Sequence, residues 1–202
     1  MFPGPKCGIR ACGESGIVRI VVVGTSGAGK TTLAKAIAAT LAIPHIELDA
    51  LEWGPGWTPL SSADPDALVR RVAAATAADA WVVDGNYGLV RDLTWRRATH
   101  LVWLDYDRPV IMLRVIRRTL VRVVFRTELW SGNVEQWHHL LQPSHPIRWA
   151  WSTWRRRRNE IEALLAQDEQ AHLIVHQLRR PAEANCVLRE LTPATAPAPM
   201  MR

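Results

Sequence analysis

The chain has 202 residues, of which 48% are apolar, and a formal net charge of +6. That length and apolar content suit one domain with one sizeable core. No run of about 18 uninterrupted apolar residues occurs, and the N-terminus lacks an apolar stretch of signal length, which sets the expectation of a cytoplasmic protein without a membrane span. Cys7, Cys12 and Cys186 are the three cysteines. They cannot close a disulfide framework, and none forms a Cys-x-x-Cys pair, so free thiols are expected rather than a zinc site.

Residues 1 to 16 are rich in Gly and Pro and read as a flexible N-terminal segment. The first ordered signal is "RIVVVGTSGAGKTT", in which Ile20 to Val23 read as a buried parallel strand. A Gly-x-x-x-x-Gly-Lys-Thr loop follows directly. Gly24 and Gly29 let the backbone curl so that successive N–H groups, through Ser26, Gly27 and Ala28, point inward at a polyphosphate. Lys30 would reach the outer phosphates, and the Thr31 hydroxyl would hold a magnesium ion, with Thr32 beside it. The next residues, "KTTLAKAIAATL", place Leu33, Ala34, Ile37, Ala38 and Leu41 on one helical face. Strand, glycine-rich loop and helix together mark a nucleotide-binding phosphate loop.

"HIELD" at 45 to 49 predicts a second strand, "WGPGWTP" a loop, and Pro65 to Ala78 a helix. "AWVVDG" at 80 to 85 predicts a buried strand ending on Asp84 and Gly85. A helix over about 87 to 97, a strand in "HLVWLDYD" at 100 to 107, and a long helix from Pro109 to about Phe125 follow. "HLIVHQL" at 172 to 178 predicts the last strand and residues 181 to 191 the last helix. Residues 192 to 202 form a Pro/Ala tail without periodicity. Alternating strands and helices imply a three-layer α/β fold with a parallel sheet covered on both faces. Ligands of such sheets bind at the carboxyl ends of the strands, so Gly24, Asp49, Asp84 and Asp105 should converge beside the phosphate loop.

The region 126 to 158 breaks the alternation. It contains Trp130, Trp137, Trp149, Trp151 and Trp154, and the helical spacing of Ile147, Trp151 and Trp154 predicts an aromatic stripe packed inward. From Arg108 to Arg158 there are eleven arginines against Glu128 and Glu135. Such a concentration fits either a negatively charged ligand or partner, polyphosphate or nucleic acid, or a solvated arginine face. A membrane-surface role for the basic helix is the weakest of these readings, because it lacks a lysine-rich face.

Other phosphate-loop machines lack support. A GTP switch needs Asn-Lys-x-Asp, and none of Asn86, Asn133, Asn159 and Asn185 precedes a lysine. Motors and AAA-type ATPases would end a strand in Asp-Glu, whereas the strand ends here are "VVDGN" and "WLDYD". Small-molecule kinases need a donor phosphate loop, carboxylates near the metal and acceptor, and mobile arginines that fold over the transferring group. This chain offers that set.

From about Val18 to Leu191 the sequence resembles the adenylate kinase and shikimate kinase superfamily. It is most similar to the adenylate-kinase-related group labelled DNA topology modulation protein, through "GTSGAGKTTLA", "ELDALEWGPGW", "WVVDGNY", "WLDYDRP", "ELWSGN" and "RRRR". The resemblance implies one domain over 17 to 191, a five-stranded P-loop sheet of order 2-3-1-4-5, and a lid at about 118 to 158. It implies ATP and magnesium as cofactors and a small-molecule acceptor, with nucleic acid the alternative partner. It also implies roles. Gly24 to Thr32 hold the donor phosphates, Asp84 organises magnesium with Thr31, and Asp49 faces the acceptor hydroxyl. Arg117 and Arg118 precede the lid, while Arg155 to Arg158, Arg155 and Arg158 foremost, return from it. The match breaks after Asp84 and Gly85, where Asn86, Tyr87 and Gly88 replace the family's continuation.

The residues themselves leave alternatives open. Asp84 would relieve its burial through magnesium or the loop hydroxyl, or serve as a turn residue. Asp49 is a general base or an N-cap for 50 to 54. Asp105 and Asp107 fit the start of the helix that Pro109 opens. Arg70 and Arg71 bind an acceptor phosphate or lie on a solvated face, and Trp53 and Trp57 stack on an acceptor or pack on the core.

Overall fold

A computed structural model describes residues 17–134 and 145–191. The expected flexible ends, with Cys7 and Cys12, and Glu135 and Trp137 lie outside the described residues.

Five strands form one parallel sheet: β1 (Arg19–Gly24), β2 (His45–Glu47), β3 (Trp81–Asp84), β4 (His100–Leu104) and β5 (Ile174–Leu178). Their spatial order is 2-3-1-4-5. The crossovers are α1 (Lys30–Leu41) after β1, α2 (Leu48–Glu52), α3 (Leu60–Ala63) and α4 (Pro65–Ala75) after β2, and α5 (Gly88–Trp95) after β3. α6 (Arg108–Val124) and α7 (Pro146–Leu165) separate β4 from β5, and α8 (Pro181–Leu191) closes the chain. No helix among the described residues is long and apolar enough to cross a membrane.

The strands read as apolar runs because both faces of the sheet are covered. Ile20, Val22, Val82 and Val102 pack with Leu33 and Ile37 of α1, Ile111 and Val115 of α6, and Val187 of α8. Val21, Val23, Val83 and Leu101, one residue out of phase, pack on the opposite layer with Leu68 and Val72 of α4, Trp95 of α5, and Ile161 and Leu165 of α7. Each such side chain contributes roughly 1.5–3 kcal/mol of burial. The rigid sheet that results positions the loops at its carboxyl edge.

Two segments differ from the sequence expectation. "WGPGWTP" is not a plain loop: Trp53–Gly54 pairs antiparallel with Thr58–Pro59 as a two-stranded ribbon. β2 ends at Glu47, so Asp49 sits in the first turn of α2 and does not cap it; Glu47 occupies the cap position. α6 runs unbroken to Val124, and α7 returns along it, burying Ala150, Ile161 and Leu165 in the core.

The inward tryptophan stripe on α7 is corrected as well. Trp154 is half-buried and donates its Nε1–H to the Tyr106 carbonyl at 3.0 Å. Trp151 is 57% exposed, with the Arg108 guanidinium 3.7 Å from its ring centroid. α7 turns Ile147 and Trp154 toward the core and leaves Trp149 and Trp151 outside.

Candidate active site

The register of the sheet sets the heart of the site. β3 pairs with β1 and β2 so that Asp84 lies opposite Val22 on one side and Glu47 on the other. α1 begins directly after the loop, so its first turn stands over this strand end. The Thr31 hydroxyl donates to Asp84 Oδ2 at 2.5 Å, and Glu47 Oε1 lies 3.3 Å from the same hydroxyl. His45 Nε2 holds the other carboxylate oxygen, Oδ1, at 2.8 Å. Asp84 is 3% exposed and thus buried with both oxygens partnered, which relieves the cost of burying a carboxylate.

The phosphate loop is braced from outside by α6. Gly27 has φ of +85°, and a Cβ there would stand 2.8 Å from Val115 Cβ, so the loop lies against α6 at a position only glycine fits. Arg114 donates to the Ala28 carbonyl at 2.8 Å. One turn on, Arg118 Nη2 approaches Ser26 Oγ at 3.4 Å. Arg114, Arg118 and Arg122 recur every four residues, so one face of α6 presents guanidinium groups to the loop. Burial pulls the Lys30 ammonium below its ordinary pKa, against the opposing pull of Asp49 and Asp84, while Arg118 and Arg157 add to the lowering.

Opposite the loop stands a second wall. Asp49 Oδ1 accepts from the Tyr87 hydroxyl at 2.5 Å. Burial and the Asp49 charge push the Tyr87 phenol far above its ordinary pKa, so it stays a donor. Gly85 makes the turn from β3 toward Tyr87: its φ is +129°, and a Cβ there would stand 2.8 Å from Leu48 Cβ. Farther out, the segment 128–134 crosses the opening as a strap, starting and ending in a bridge between Glu128 and Val134. Buried Asn133 ties it to the ribbon, since its Oδ1 accepts from Trp57 N at 3.0 Å and its Nδ2 donates to Gly54 O at 2.9 Å. Ser131 Oγ adds a bond to Trp53 O at 2.8 Å. Trp53, Trp57 and Trp130 stack edge to face, with centroids 5.8 Å and 6.5 Å apart along the series.

Between these walls lies a cavity of about 550 Å³. Ser26, Gly27, Gly29, Lys30, Thr31 and Thr32 line it together with Asp49 and Arg118, so most of the sequence-derived candidates do meet. Gly24 ends β1 beneath the loop, and Ala28 is buried under it.

Others do not meet. Arg117 and Arg155 face solvent on the outer sides of their helices and line no part of this cavity. Arg158 turns the other way, into a pair with buried Asp105 at 3.0 Å and with Glu162 at 3.5 Å. Asp105 is therefore an ion-pair partner, not a cap for α6; it also accepts from Gln177 at 2.8 Å, and burial nonetheless raises its pKa. Asp107 takes the cap position without a side-chain bond. Among the four consecutive arginines, Arg157 is the one turned toward the site, bonded to the Asn86 carbonyl at 3.5 Å and paired with Glu160 at 3.6 Å. Arg70 and Arg71 lie on a solvated face of α4. Trp53 and Trp57 brace the strap.

Glu47, His45, Arg114, Arg122, Glu128, Trp130 and Asn133 were not among the expected site residues. The i, i+4, i+8 spacing of Arg114, Arg118 and Arg122 was a readable signal. Asn133 carried none, because its partners are 76 to 79 residues away.

Oxygen donors dominate the cluster at Thr31, as a hard divalent cation requires. Among the described residues no group of three His, Cys, Asp or Glu side chains has metal-holding geometry.

Comparison with known proteins locates this arrangement. The model of the ATPase family associated with various cellular activities (AAA) matches residues 20–82, less than half of the chain. The match spans β1, the glycine-rich loop and α1, continues through β2 and α4, and ends in β3 two residues before Asp84. No curated protein matches the sequence. A shikimate kinase from Acinetobacter baumannii, solved with shikimate, superposes with a TM-score of 0.53 at 17% identity, over 87% of this chain and 91% of that one. The shikimate kinase of Bacteroides thetaiotaomicron gives 0.52 at 17% identity, over 86% and 96%. The fold is that of the P-loop NTPases. A gluconokinase from Sinorhizobium meliloti 1021 aligns at 21% identity over 87% and 91%, with a TM-score of 0.48.

Proposed function

We propose that the protein is an ATP- and magnesium-dependent phosphotransferase that moves the γ-phosphoryl group to the hydroxyl of a small acceptor. The observation that carries this reading is the position of Asp49, a carboxylate held by Tyr87 on the wall opposite Lys30 in one cavity. The kinases that share the fold act on small molecules, as their names state. Similarity to the DNA topology modulation group supports a kinase-like frame and leaves the acceptor to the site itself.

The loop N–H groups and Lys30 bind the donor phosphates, and Thr31 with Asp84 and Glu47 would hold the cation. When bound, magnesium neutralises charge on the β- and γ-phosphate oxygens. Arg118 and Arg157, both within electrostatic reach of Lys30, offset the charge spread over the transferring group. Asp49 takes the acceptor proton as the acceptor oxygen bonds to phosphorus and the bond from phosphorus to the ADP oxygen breaks. The strap and Trp130 cover the cavity and exclude water, which would otherwise compete as acceptor.

The test is ADP release from magnesium ATP by wild type and by Lys30→Ala, with a panel of small hydroxyl compounds. Acceptor-stimulated turnover that the variant loses is the expected result. Equal turnover in both proteins rejects the reading. A second reading, a nucleotide-regulated nucleic-acid binder, draws on the exposed Trp149 and Trp151 set among Arg108, Arg148 and Arg156. Such a surface would bind single strands with a steep salt dependence; binding to an oligonucleotide that is insensitive to salt would dismiss it.

A further inference from the structure

His45, Glu47 and Asp84 meet on one face of the sheet. His45 and Glu47 are two residues apart on β2, so their side chains leave the same face, and the parallel register sets Glu47 opposite Asp84 and His45 opposite Val82. The two oxygens of Asp84 go to different partners. Oδ2 accepts from the Thr31 hydroxyl at 2.5 Å, the hydroxyl that Glu47 Oε1 also approaches at 3.3 Å. Oδ1 is held by His45 Nε2 at 2.8 Å. A carboxylate brings no hydrogen to that bond, so the imidazole Nε2–H is the donor. The His45 side chain is 15% exposed and lines no part of the cavity, so it acts on a cation beside Thr31 only through Asp84.

We infer that His45 is a positioning residue that leaves Asp84 one oxygen, Oδ2, for the cation or its bound water, and so tunes the site to magnesium over calcium. The inference rests on the cation-holding part of the phosphotransferase reading and deepens it. Calcium takes about six to eight oxygens, often both from one carboxylate, whereas magnesium keeps near-octahedral geometry, retains water and is served by single oxygens. To present both oxygens, Asp84 would have to break the His45 bond and leave a half-buried imidazole N–H without its acceptor. Glu47 is then the carboxylate of this cluster that can offer two oxygens, so calcium is weakened and not barred. The bond also fixes direction. The last torsion of an aspartate is soft, and a donor on Oδ1 stops the carboxylate from turning, which keeps Oδ2 aimed at Thr31.

Calorimetry on wild type, His45→Phe and His45→Gln measures the Kd of a non-hydrolysable ATP analogue with magnesium, with calcium and with a chelator. Each protein's Kd in chelator is its own reference, so damage to the phosphate loop or to folding cancels. In wild type, magnesium should tighten binding at least about tenfold more than calcium does. His45→Phe keeps a ring and removes the N–H; it should lose at least about tenfold of the magnesium gain, so that the two cations converge. His45→Gln retains a donor near the place of Nε2 and should restore most of the gap. Equal gains from the two cations in wild type overturn the inference without any variant having to fold. A gap that His45→Phe leaves as wide as in wild type, or that His45→Gln does not restore, overturns it as well. So does binding that no cation improves, which also removes the cation from the Thr31 cluster. The phosphotransferase reading is decided separately, by acceptor-stimulated ADP release. If that release is absent while the gap holds and follows His45, the role of His45 stands in a protein that binds nucleotide without transferring phosphate.

Discussion

On the phosphotransferase reading the cavity has a donor half, at the phosphate loop, and an acceptor half, at Asp49, and the two are built in different ways. The donor half is mostly local: fourteen consecutive residues supply strand, loop and the first helical turn, and α6 and Asp84 brace what their spacing already shapes. The acceptor half is assembled from β2 and α2, the ribbon, the turn after β3, and the strap at 128–134, brought together across as many as 79 residues of sequence. A local motif holds its shape through covalent spacing. An assembled wall depends on a few ties between distant segments, and those ties are where it can be broken.

The largest effect is expected where the two halves meet. Asp84→Ala removes the acceptor of the Thr31 hydroxyl and leaves half-buried His45 without its partner. Nucleotide turnover should fall at least about a hundredfold, the loss typical of a group that organises charge at a phosphoryl site. A fall of only a few-fold would show that Glu47 can hold the cluster by itself, and the donor half would then be less local than its motif suggests.

A change beneath both halves should remove the distinction between them. His100 on β4 is buried beside His176, with ring centroids 5.6 Å apart, and its Nδ1 lies 2.8 Å from Thr99 Oγ1. Burial, aided by His176, lowers its pKa from 6.5 to about 4. Between these values the unfolded chain binds more protons than the native one, so stability is full above pH 6.5 and falls as the pH drops toward 4. The shift corresponds to a loss of about 3 kcal/mol. Thermal melts over that range should show the fall, with donor binding and acceptor turnover lost together at low pH; His100→Phe should flatten the slope.

The contrast also explains what the sequence reveals. The phosphate loop, the sheet order and the strand-end Asp84 are legible because periodicity and motif spacing act over short distances. Glu47 escapes notice because its role comes from register, one strand over from Asp84. The "RRRR" run shows the limit most directly. Helical geometry sends its four side chains in different directions, so Arg157 turns to the site, Arg158 to Asp105, and Arg155 to solvent. Which phase is inward depends on how α7 packs on α6, and that packing is fixed by Ala150 and Trp154 rather than by the arginines. The position of Asn133 is beyond local reading altogether.

Asn133→Ala tests the tie itself. It leaves Trp57 N–H and the Gly54 carbonyl without their side-chain partner and costs about 1–3 kcal/mol. The strap should loosen from the ribbon while the phosphate loop stays intact, so ATP affinity is expected to change little and acceptor KM to rise about tenfold. ATP affinity lost in proportion to acceptor affinity would mean that the strap braces the whole cavity, and the division into two halves would fail.

The smallest effect discriminates most finely among the arginines. Arg155 and Arg117 are exposed and line no part of the cavity, so changing either to Ala should alter stability by no more than about 0.5 kcal/mol and turnover by less than about twofold. Arg157→Ala, two residues from Arg155, should lower kcat about tenfold or more, because its charge acts at Lys30 during transfer. The three variants remove the same charge from the same basic region, so a non-specific electrostatic role would make them equal. On the proposed reading Arg157 differs from the other two because its charge reaches Lys30, and a turnover that falls equally in all three would shift the function of the arginine-rich segment from the cavity to its outer surface.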